Sequence, residues 1–453
     1  MYSQLLAQRA AQGRPVRVGV IGAGKFGAGL VAQIAQMRGM EVSAVAEMDV
    51  QRGLRAFTVA GRLPATAIRL AEDVGTLNDA VRAGQRVVVE DGRLLADSEL
   101  IDVVVEATGL PEVGALLAHH TLQRGKHLVM VNVEADVTIG PLLRRMADKA
   151  GVVYTLVDGD QPGCTMQMIE WARTLGFEIV AAGRGTVLYA DDPRGTPDSV
   201  PARYGFDAET LDRRTINLKM FNSFRDGTKA QVEMTALANA AGLVPDVRGM
   251  HEPAVNLHEI PQRFSQRNEG GLLSQHGVVE LANSVAGDGK TLLPNGLGMG
   301  VFVVIRTDHP FTQEDLRSYF LHPGGNQHNY LLQRPYHLVA VEAPISIAQA
   351  ALYGYATGSC LPTPTAEVIT VAKRDLAAGE VLDGGGGYTV VGQCEKATIA
   401  RQEKLLPLGL SSGARLNCAV AAGQAISYNM VELKESFLLQ LRREQDRLIE
   451  TGE

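Results

Sequence analysis

The sequence predicts an α/β protein whose first domain is built on a doubly wound parallel sheet. The apolar run VRVGVI at 16–21 has the composition of a buried parallel strand. A glycine-rich turn and an amphipathic stretch from Phe26 to Met37 follow it at once, and a second strand, EVSAVAEM, comes after Gly39. Because strand, glycine turn, helix and strand follow one another, the opening is typical of a Rossmann domain.

Later apolar runs continue the alternation to about residue 160. Strand candidates at 101–108, 127–132 and 152–158 are separated by helical stretches. The chain between Gln51 and Ser98 is longer than one crossover needs, and VVVEDG within it predicts a small hairpin inserted at about 84–98. The first domain is therefore predicted to span 1–160.

Two further domains are predicted after residue 160. Residues 161–358 hold polar, glycine-rich loops and a helical run, and are expected to form an α+β catalytic and dimerisation domain. Its end, at 337–358, includes a stretch expected to form a helix that packs back on the first sheet. The LPTPT sequence then marks a boundary, and 359–453 predicts a small β-rich domain with a charged C-terminal helix, since short strands alternate there with glycine turns.

Composition excludes several classes of protein. The 43 basic and 50 acidic residues give a net charge of −7, with no basic stripe of the kind that binds nucleic acid. The four cysteines lie too far apart for a zinc or redox motif, so reduced thiols are expected. The N-terminus does not resemble an export signal, and no apolar run reaches about 18 residues. We therefore expect a cytoplasmic protein with no membrane partner.

The motif GAGKFG at 22–27 carries the strongest functional signal. Gly22 permits the tight turn after the strand, Gly24 lets the backbone approach a pyrophosphate, and Gly27 allows the helix to pack closely on the strand. The helix N-terminus adds free N–H donors. These three glycines, with Lys25 and Phe26, are predicted to bind a dinucleotide, and a glycine turn without a nucleotide is the alternative.

An acidic residue at the end of the second strand bears on the choice of cofactor. Glu47 stands where a carboxylate accepts hydrogen bonds from the adenosine ribose, which favours NAD(H). Arg52, five residues on, can pair with a 2′-phosphate, which favours NADP(H). The choice between the two coenzymes stays open on these residues, as does a third interpretation of Glu47 as an ordinary strand-end carboxylate.

Two later strand ends are predicted to reach the same sheet edge. After the strand at 101–105 the sequence EATG places three residues beside the nicotinamide-side ribose or phosphates: Ala107, Thr108 and Gly109. After the next strand, VNVEAD places Asn132, Glu134 and Asp136 near the reactive end of the cofactor. The two acids are equally well interpreted as helix N-capping residues.

The sharpest catalytic candidate is the sequence RDGTK at 225–229. Asp226 is interpreted as an N-cap, and Lys229 and Glu233, four residues apart, share a helix face and can point into one cleft. A partly desolvated lysine can polarise a carbonyl or deliver a proton during hydride transfer. The alternative is a solvated ion pair worth about 0.3–0.5 kcal/mol.

The histidines give no metal motif. No pair has the HExxH spacing of a zinc site, and most are expected in loops or the core. The pair His251-Glu252 is a generic candidate for a cation ligand. No metal site is therefore assigned.

Taken together, GVIGAGKFG, VMVNVEADV, TPDS, DGTK and the terminal β-rich domain resemble homoserine-dehydrogenase-like oxidoreductases. More closely, the chain resembles the bacterial DRL proteins, 1-deoxy-D-xylulose 5-phosphate reductoisomerases of isoprenoid precursor synthesis, with a terminal domain similar to SAF domains. The resemblance implies an NADPH-preferring homodimer that acts on a phosphorylated ketose or polyol. The lysine that follows the VMVN strand in homoserine dehydrogenases is replaced here by Val133-Glu134, which argues against homoserine dehydrogenase activity.

The resemblance also implies roles for single residues. Lys229 would be the electrophile or acid, while Asp226, Glu233 and Glu134 would orient substrate hydroxyls or a divalent cation. The phosphate would be clamped by Arg184, Arg194 or Lys219. Two alternatives stay open: a dehydrogenase or cofactor-assisted lyase of a branched sugar or polyol phosphate, and a non-catalytic dinucleotide or carbohydrate sensor.

Overall fold

A computed structural model describes residues 1–207 and 217–452. The chain divides into two compact units rather than the three predicted domains. Unit 1 comprises Met1–Gly163, Leu338–Pro362 and the segment from Ser436, and unit 2 comprises Cys164–His337 and Thr363–Glu435. The first predicted boundary, at 160, lies close to the end of the first stretch. The later boundaries differ because two segments of the chain return to unit 1.

Unit 1 contains the predicted doubly wound sheet. Seven strands, all parallel, lie in the order β3-β4-β2-β1-β5-β6-β7. The central strands are apolar and buried, as expected for a sheet covered on both faces. The strands are β1 Val16–Ile21, β2 Met40–Ala46, β3 Ile68–Leu70, β4 Arg86–Val89, β5 Val103–Glu106, β6 His127–Met130 and β7 Tyr154–Leu156.

The hairpin predicted at about 84–98 is wrong. Strand β4 lies in the main sheet, parallel to β2 on one side and β3 on the other, and a short helix follows it at Arg93–Asp97. The three valines of β4 are buried in the sheet, which explains the apolar run there. The chain from Gln51 to Ser98 is long because it contains two additional strands and the helices that connect them.

Helices cover both faces of this sheet, and two of them come from late in the chain. Helix α14 buries Ala343, Ile347 and Ala348 in the unit 1 core, as predicted for a helix packing back on the sheet. Helix α16 is fixed by Gln445, whose Oε1 accepts a hydrogen bond of 3.1 Å from the Leu142 N–H. The helices of unit 1 are α1 Tyr2–Ala11, α2 Lys25–Ile34, α3 Val50–Arg55, α4 Val74–Arg82, α5 Arg93–Asp97, α6 Pro111–Gln123, α7 Val133–Ala150, α14 Ala343–Tyr353 and α16 Phe437–Thr451.

Unit 2 is built on a mixed sheet of five strands in the order β12-β11-β8-β10-β9. Strands β8, β10 and β9 are parallel, and β11 is antiparallel to both of its neighbours, β8 and β12. The strands are β8 Glu178–Thr186, β9 Val244–Pro245, β10 Val278–Asn283, β11 Val301–Arg306 and β12 Asn329–Arg334. The helices are α8 Gln161–Thr174, which begins at the unit boundary, α9 Val200–Tyr204, α10 Leu218–Arg225, α11 Thr228–Ala241, α12 Ile260–Arg263, α13 Pro310–Ser318 and α15 Ala397–Gln402.

The β-rich segment Thr363–Glu435 belongs to unit 2 because it packs on α11. The amide of Gln231 accepts a hydrogen bond from the Cys394 N–H at 2.8 Å, and Asn239 accepts one from the Thr365 N–H at 2.9 Å. Its antiparallel pairs are β13 Ala366–Ala372 with β14 Val390–Lys396, and β15 Arg415–Leu416 with β16 Val431–Glu432. Helix α11 is consequently enclosed, and Lys229 is the one residue of this fully described helix that is not buried.

Within residues 1–207 and 217–452, no helix combines the length and the apolar character needed to cross a bilayer.

Candidate functional site

The glycine turn of unit 1 is closely packed at two of its glycines and open at the third. Gly22 has a φ of +95°, and a Cβ there would lie 2.9 Å from the Ala107 carbonyl oxygen. A Cβ on Gly27 would lie 1.9 Å from the Gly22 carbonyl oxygen, so α2 can approach β1 only with glycine at this position. A Cβ on Gly24 would meet nothing within 4 Å. Open space therefore lies beside Gly24 at the N-terminus of α2, where N–H donors bind phosphate.

Glu47 lies against this turn. Its carboxylate accepts hydrogen bonds from the Ala23 N–H at 2.9 Å and from the Asp49 N–H at 3.1 Å. The Arg52 guanidinium is 3.9 Å from Glu47 Oε1 and is partly exposed. The structure thus brings Glu47 and Arg52 together at the edge of the glycine turn, and a contact of either with a nucleotide ribose stays a prediction.

The EATG sequence forms a turn that is held by hydrogen bonds to a buried carboxylate. Glu106 is fully buried at the end of β5 and accepts hydrogen bonds from the N–H of Thr108, at 2.8 Å, and from its hydroxyl. Burial raises the pKa of Glu106, and the bonds from Thr108 offset part of that rise. Since Ala107 also contacts Gly22, the turn at 106–109 and the glycine turn form one continuous edge.

The residues after β6 serve mainly to start α7. Asn132 is buried and caps the helix, with its Oδ1 accepting the Ala135 N–H at 3.2 Å, and its amide donates to the Leu110 carbonyl. Asp136 is buried against the Tyr154 hydroxyl, and burial raises the pKa of Asp136 to about 6. Glu134, in the first turn of α7, is only partly buried. Capping therefore falls to Asn132 rather than to either acid, and Glu134 keeps its predicted role at the sheet edge as a prediction.

The expected orientation of Asp226 toward substrate is wrong. Its carboxylate is buried and forms an ion pair of 2.7 Å with Lys373 Nζ. It also accepts the Thr228 N–H at 3.0 Å, while the N-cap of α11 is Gly227. Lys373 in turn donates to the Gly195 and Gly387 carbonyls. Asp226 therefore joins the start of α11 to the β-rich segment.

Glu233 and Arg184 were predicted to have separate roles, and the structure pairs them. Both side chains are buried, and the Arg184 guanidinium donates to the Glu233 carboxylate. The interpretation of Glu233 as part of a solvated ion pair is therefore wrong, because its carboxylate is buried and binds Arg184 of β8. Arg184 is equally unsuited to clamp a phosphate from solvent.

The two remaining phosphate candidates lie in different surroundings. Lys219 donates to the carbonyl of Asp383, so its ammonium is held by the β-rich segment. Arg194 is exposed and lines a cavity of about 400 Å³. The cavity lies wholly within unit 2, and its lining includes Thr196, Lys373, Arg374 and Tyr388. Of the predicted clamp residues, Arg194 is the one that faces open space.

A group of mostly charged residues that no sequence motif connects lies on and beside the neighbouring strands β8 and β10 of unit 2. We name it the Glu252 cluster; its members are Arg184, Thr186, Glu233, His251, Glu252 and Glu280. The Thr186 hydroxyl donates to Glu252 at 2.7 Å, and His251 Nδ1 lies 2.6 Å from Glu280, whose carboxylate raises the pKa of His251. The signal that could have revealed it is Glu280, an acid inside the apolar strand sequence VVELAN.

Among the residues that the structure describes, no group of three or more histidine, cysteine, aspartate and glutamate side chains has the arrangement to hold a metal ion. A cation contact of the pair His251-Glu252 stays a prediction.

Comparison with protein families gives one match. The model described as "Oxidoreductase DRL, catalytic domain" matches residues 159–343, which include α11 and the Glu252 cluster. This segment is similar to an oxidoreductase catalytic domain. The match covers less than half of the 453 residues. A comparison with curated proteins finds no match.

Solved structures of several oxidoreductases share parts of the architecture. A putative myo-inositol dehydrogenase from Sinorhizobium meliloti 1021 is 11% identical, over 75% of this chain and 90% of its own, with a TM-score of 0.37. A myo-inositol dehydrogenase from Lactobacillus casei, in complex with NAD(H) and myo-inositol, is 18% identical over 41% and 50%, with a TM-score of 0.28. Biliverdin reductase from Synechocystis sp. PCC 6803, with biliverdin and NADP+, is 18% identical over 42% and 53%, also at 0.28. Similarity at this level supports no argument about activity.

Proposed function

We propose that the protein is an NAD(P)-dependent oxidoreductase that reduces a phosphorylated sugar or polyol precursor. The observation that carries the proposal is the glycine turn, in which Gly22 and Gly27 are sterically required and Gly24 leaves open space at a helix N-terminus. The DRL match over 159–343 supports a catalytic role for unit 2. The reduced dinucleotide would supply a hydride, and the turn at 106–109 would border its nicotinamide half.

The choice between coenzymes depends on Glu47 and Arg52. Glu47 is already engaged by two backbone N–H groups, so its carboxylate is fixed beside the turn rather than free to rotate toward a ligand. Arg52 is partly exposed and can bind a 2′-phosphate. NADP(H) is the proposed coenzyme, on the partly exposed Arg52 and on the resemblance to the DRL proteins.

The finer assignment is the activity of the DRL proteins, conversion of 1-deoxy-D-xylulose 5-phosphate by rearrangement and reduction. Its support is the resemblance of GVIGAGKFG, VMVNVEADV and DGTK together with the DRL match. Exposed Arg194, which lines the cavity of unit 2, is the proposed phosphate ligand. The homodimer, the SAF-like nature of 363–435 and the divalent cation belong to the same proposal and rest on the resemblance.

Lys229 is the proposed electrophile. It is the one residue of α11 that is not buried, and the helix is held in place on both sides by the hydrogen bonds of Gln231 to Gly249 and Cys394. An ammonium carried by a helix that is held in this way can polarise a substrate carbonyl and stabilise the charge that develops on its oxygen. Positioning by a rigid, enclosed helix is what such a role requires.

Turnover measurements test this proposal. NADPH oxidation is measured with 1-deoxy-D-xylulose 5-phosphate and a panel of ketose and polyol phosphates, for the wild type, Lys229→Ala and Lys290→Ala. We expect Lys229→Ala to lower kcat by about 100-fold or more without weakening NADPH binding. Lys290 lies in an exposed turn, and its variant is the matched control. Unchanged turnover in Lys229→Ala refutes its role, and NADPH binding without turnover of any compound favours the sensor alternative.

A further inference from the structure

The cavity of about 400 Å³ in unit 2 has two walls that lie far apart in the sequence. One wall is the loop at 191–199, which contributes Arg194 and Thr196. The other wall is the β-rich segment, and its residues in the lining are Lys373, Arg374, Asp375, Tyr388 and Ala422. Both walls belong to unit 2. The volume is within the range of small-molecule sites, about 300–1,000 Å³.

Two hydrogen bonds join the walls of this cavity. The ammonium of Lys373, whose side chain is buried, donates to the Gly195 carbonyl of the loop at 2.9 Å. The Tyr388 hydroxyl donates to the Asp198 carboxylate of the loop at 2.8 Å. The loop and the β-rich segment therefore hold the cavity in one shape, and a ligand pays little entropy to order a site that is formed in advance.

The charges that line the cavity favour an anion. The exposed Arg194 guanidinium makes no ion pair with any residue that the structure describes. Arg374 is exposed and pairs with Glu380, and its Nε donates to none of the described residues. Exposed ion pairs of this kind contribute little to stability, so a phosphate can share the Arg374 guanidinium. Asp375, an acid in the same lining, is engaged by the Ala422 N–H at 2.8 Å.

A buried ion pair connects the cavity lining to the start of α11. Lys373 Nζ lies 2.7 Å from the Asp226 carboxylate. Asp226 in turn accepts the Thr228 N–H at 3.0 Å, in the first turn of the helix that carries Lys229. The cavity lining and the helix of the proposed electrophile are therefore parts of one hydrogen-bonded assembly within unit 2.

We propose that the β-rich segment supplies half of the site for the substrate phosphate: Arg374 binds the phosphate together with Arg194, and the Tyr388 ring lies against the carbon chain of a sugar or polyol phosphate. This inference rests on the proposed function and deepens it, because it makes the β-rich segment a determinant of substrate specificity. Guanidinium groups bind phosphate oxygens through planar pairs of N–H donors. The Tyr388 ring, 40% exposed, offers an apolar face of the kind that lines small-molecule pockets.

Calorimetric titration of the full chain without coenzyme tests the proposal. The probes are inorganic phosphate, 1-deoxy-D-xylulose 5-phosphate with the other phosphates of the turnover panel, and their unphosphorylated counterparts. Arg374→Gln should weaken binding of the phosphorylated compounds by about 10-fold or more, since a charge-assisted bond is lost. Arg415→Gln is the matched control, because Arg415 is an exposed arginine of the same segment outside the cavity lining. Wild-type affinity in Arg374→Gln, or no binding of any phosphorylated compound by the wild type, overturns the proposal.

Steady-state kinetics separate phosphate binding from a merely structural role of Arg374. Arg374→Gln should raise KM for the phosphorylated substrate by about 10-fold with kcat nearly unchanged, and Arg374→Lys, which keeps the charge, should recover part of the loss. An equal rise in KM for an unphosphorylated substrate overturns the proposal. Failure of the wild type to bind either coenzyme refutes the proposed function instead, and the phosphate titration, made without coenzyme, distinguishes the two failures.

Discussion

The glycine turn of unit 1 and the Glu252 cluster of unit 2 are built in opposite ways. The turn is a single stretch of six residues, and its geometry depends on backbone conformation and on the absence of side chains. The cluster draws its members from β8, α11, β10 and the loop that carries His251 and Glu252, and its geometry depends on which side chains meet. The comparison shows that a site determined by the spacing of glycines along the chain can be predicted from sequence. A site made of paired charges can be recognised only when the fold is known.

The largest effect on stability is expected from breaking the ion pair between Lys373 and Asp226 in unit 2, whose partners lie far apart in the sequence. Lys373→Met leaves Asp226 as a buried, unpaired carboxylate, and the free energy of unfolding should fall by about 3–5 kcal/mol. Urea denaturation of the full chain measures it. The double variant Lys373→Met with Asp226→Asn should recover part of the loss. A loss below about 1 kcal/mol in the single variant would mean that residues distant in sequence do not hold unit 2 together.

A second test of stability concerns the glycine turn at 22–27. Gly27→Ala places a Cβ 1.9 Å from the Gly22 carbonyl oxygen, so β1 and α2 must separate. We expect the free energy of unfolding to fall by about 3 kcal/mol. Gly24→Ala is the matched control, because its Cβ enters open space and its φ of −68° suits any residue. Equal stability of the two variants contradicts the steric argument.

A smaller effect on stability is expected from the ionisation of Asp136 in unit 1, which is paired with Tyr154 on another element. Its folded-state pKa of about 6 exceeds the ordinary value of 3.8, so the unfolded chain releases the proton at lower pH. The wild type should therefore lose about 2 kcal/mol of stability as pH rises from 4 to 7. Asp136→Asn cannot ionise and should lose less over this range. Parallel curves for the two proteins in urea denaturation at each pH would contradict the assignment.

Much of unit 1 could be predicted from sequence because its strands are apolar runs and its helices follow them directly. The error at β4 arose because a short buried strand and one arm of a hairpin have the same composition. The return of α14 to the sheet was predicted, but the return of α16 was not, since the contact of Gln445 with α7 spans most of the chain.

The residues of the candidate site differ in the same way: some follow local spacing and others depend on contacts distant in the sequence. Gly22 and Gly27 have the close packing that the motif predicts, because local spacing determines their geometry, and Gly24 borders open space. Asp226 and Glu233 were assigned to substrate, yet each is paired with a residue that no spacing rule connects to it, Lys373 and Arg184. A charged residue in an enclosed helix signals a buried partner, and sequence alone does not say which one.

The central claim, that the turn at 22–27 holds a dinucleotide, is tested most directly by calorimetric titration of NADPH into the wild type and Gly24→Val. The valine side chain enters open space at a backbone conformation that any residue can adopt, so the variant should fold with wild-type stability and yet lose NADPH binding by 100-fold or more, about 2.7 kcal/mol. Wild-type affinity in the folded variant, or no binding of either coenzyme by the wild type, would contradict the account.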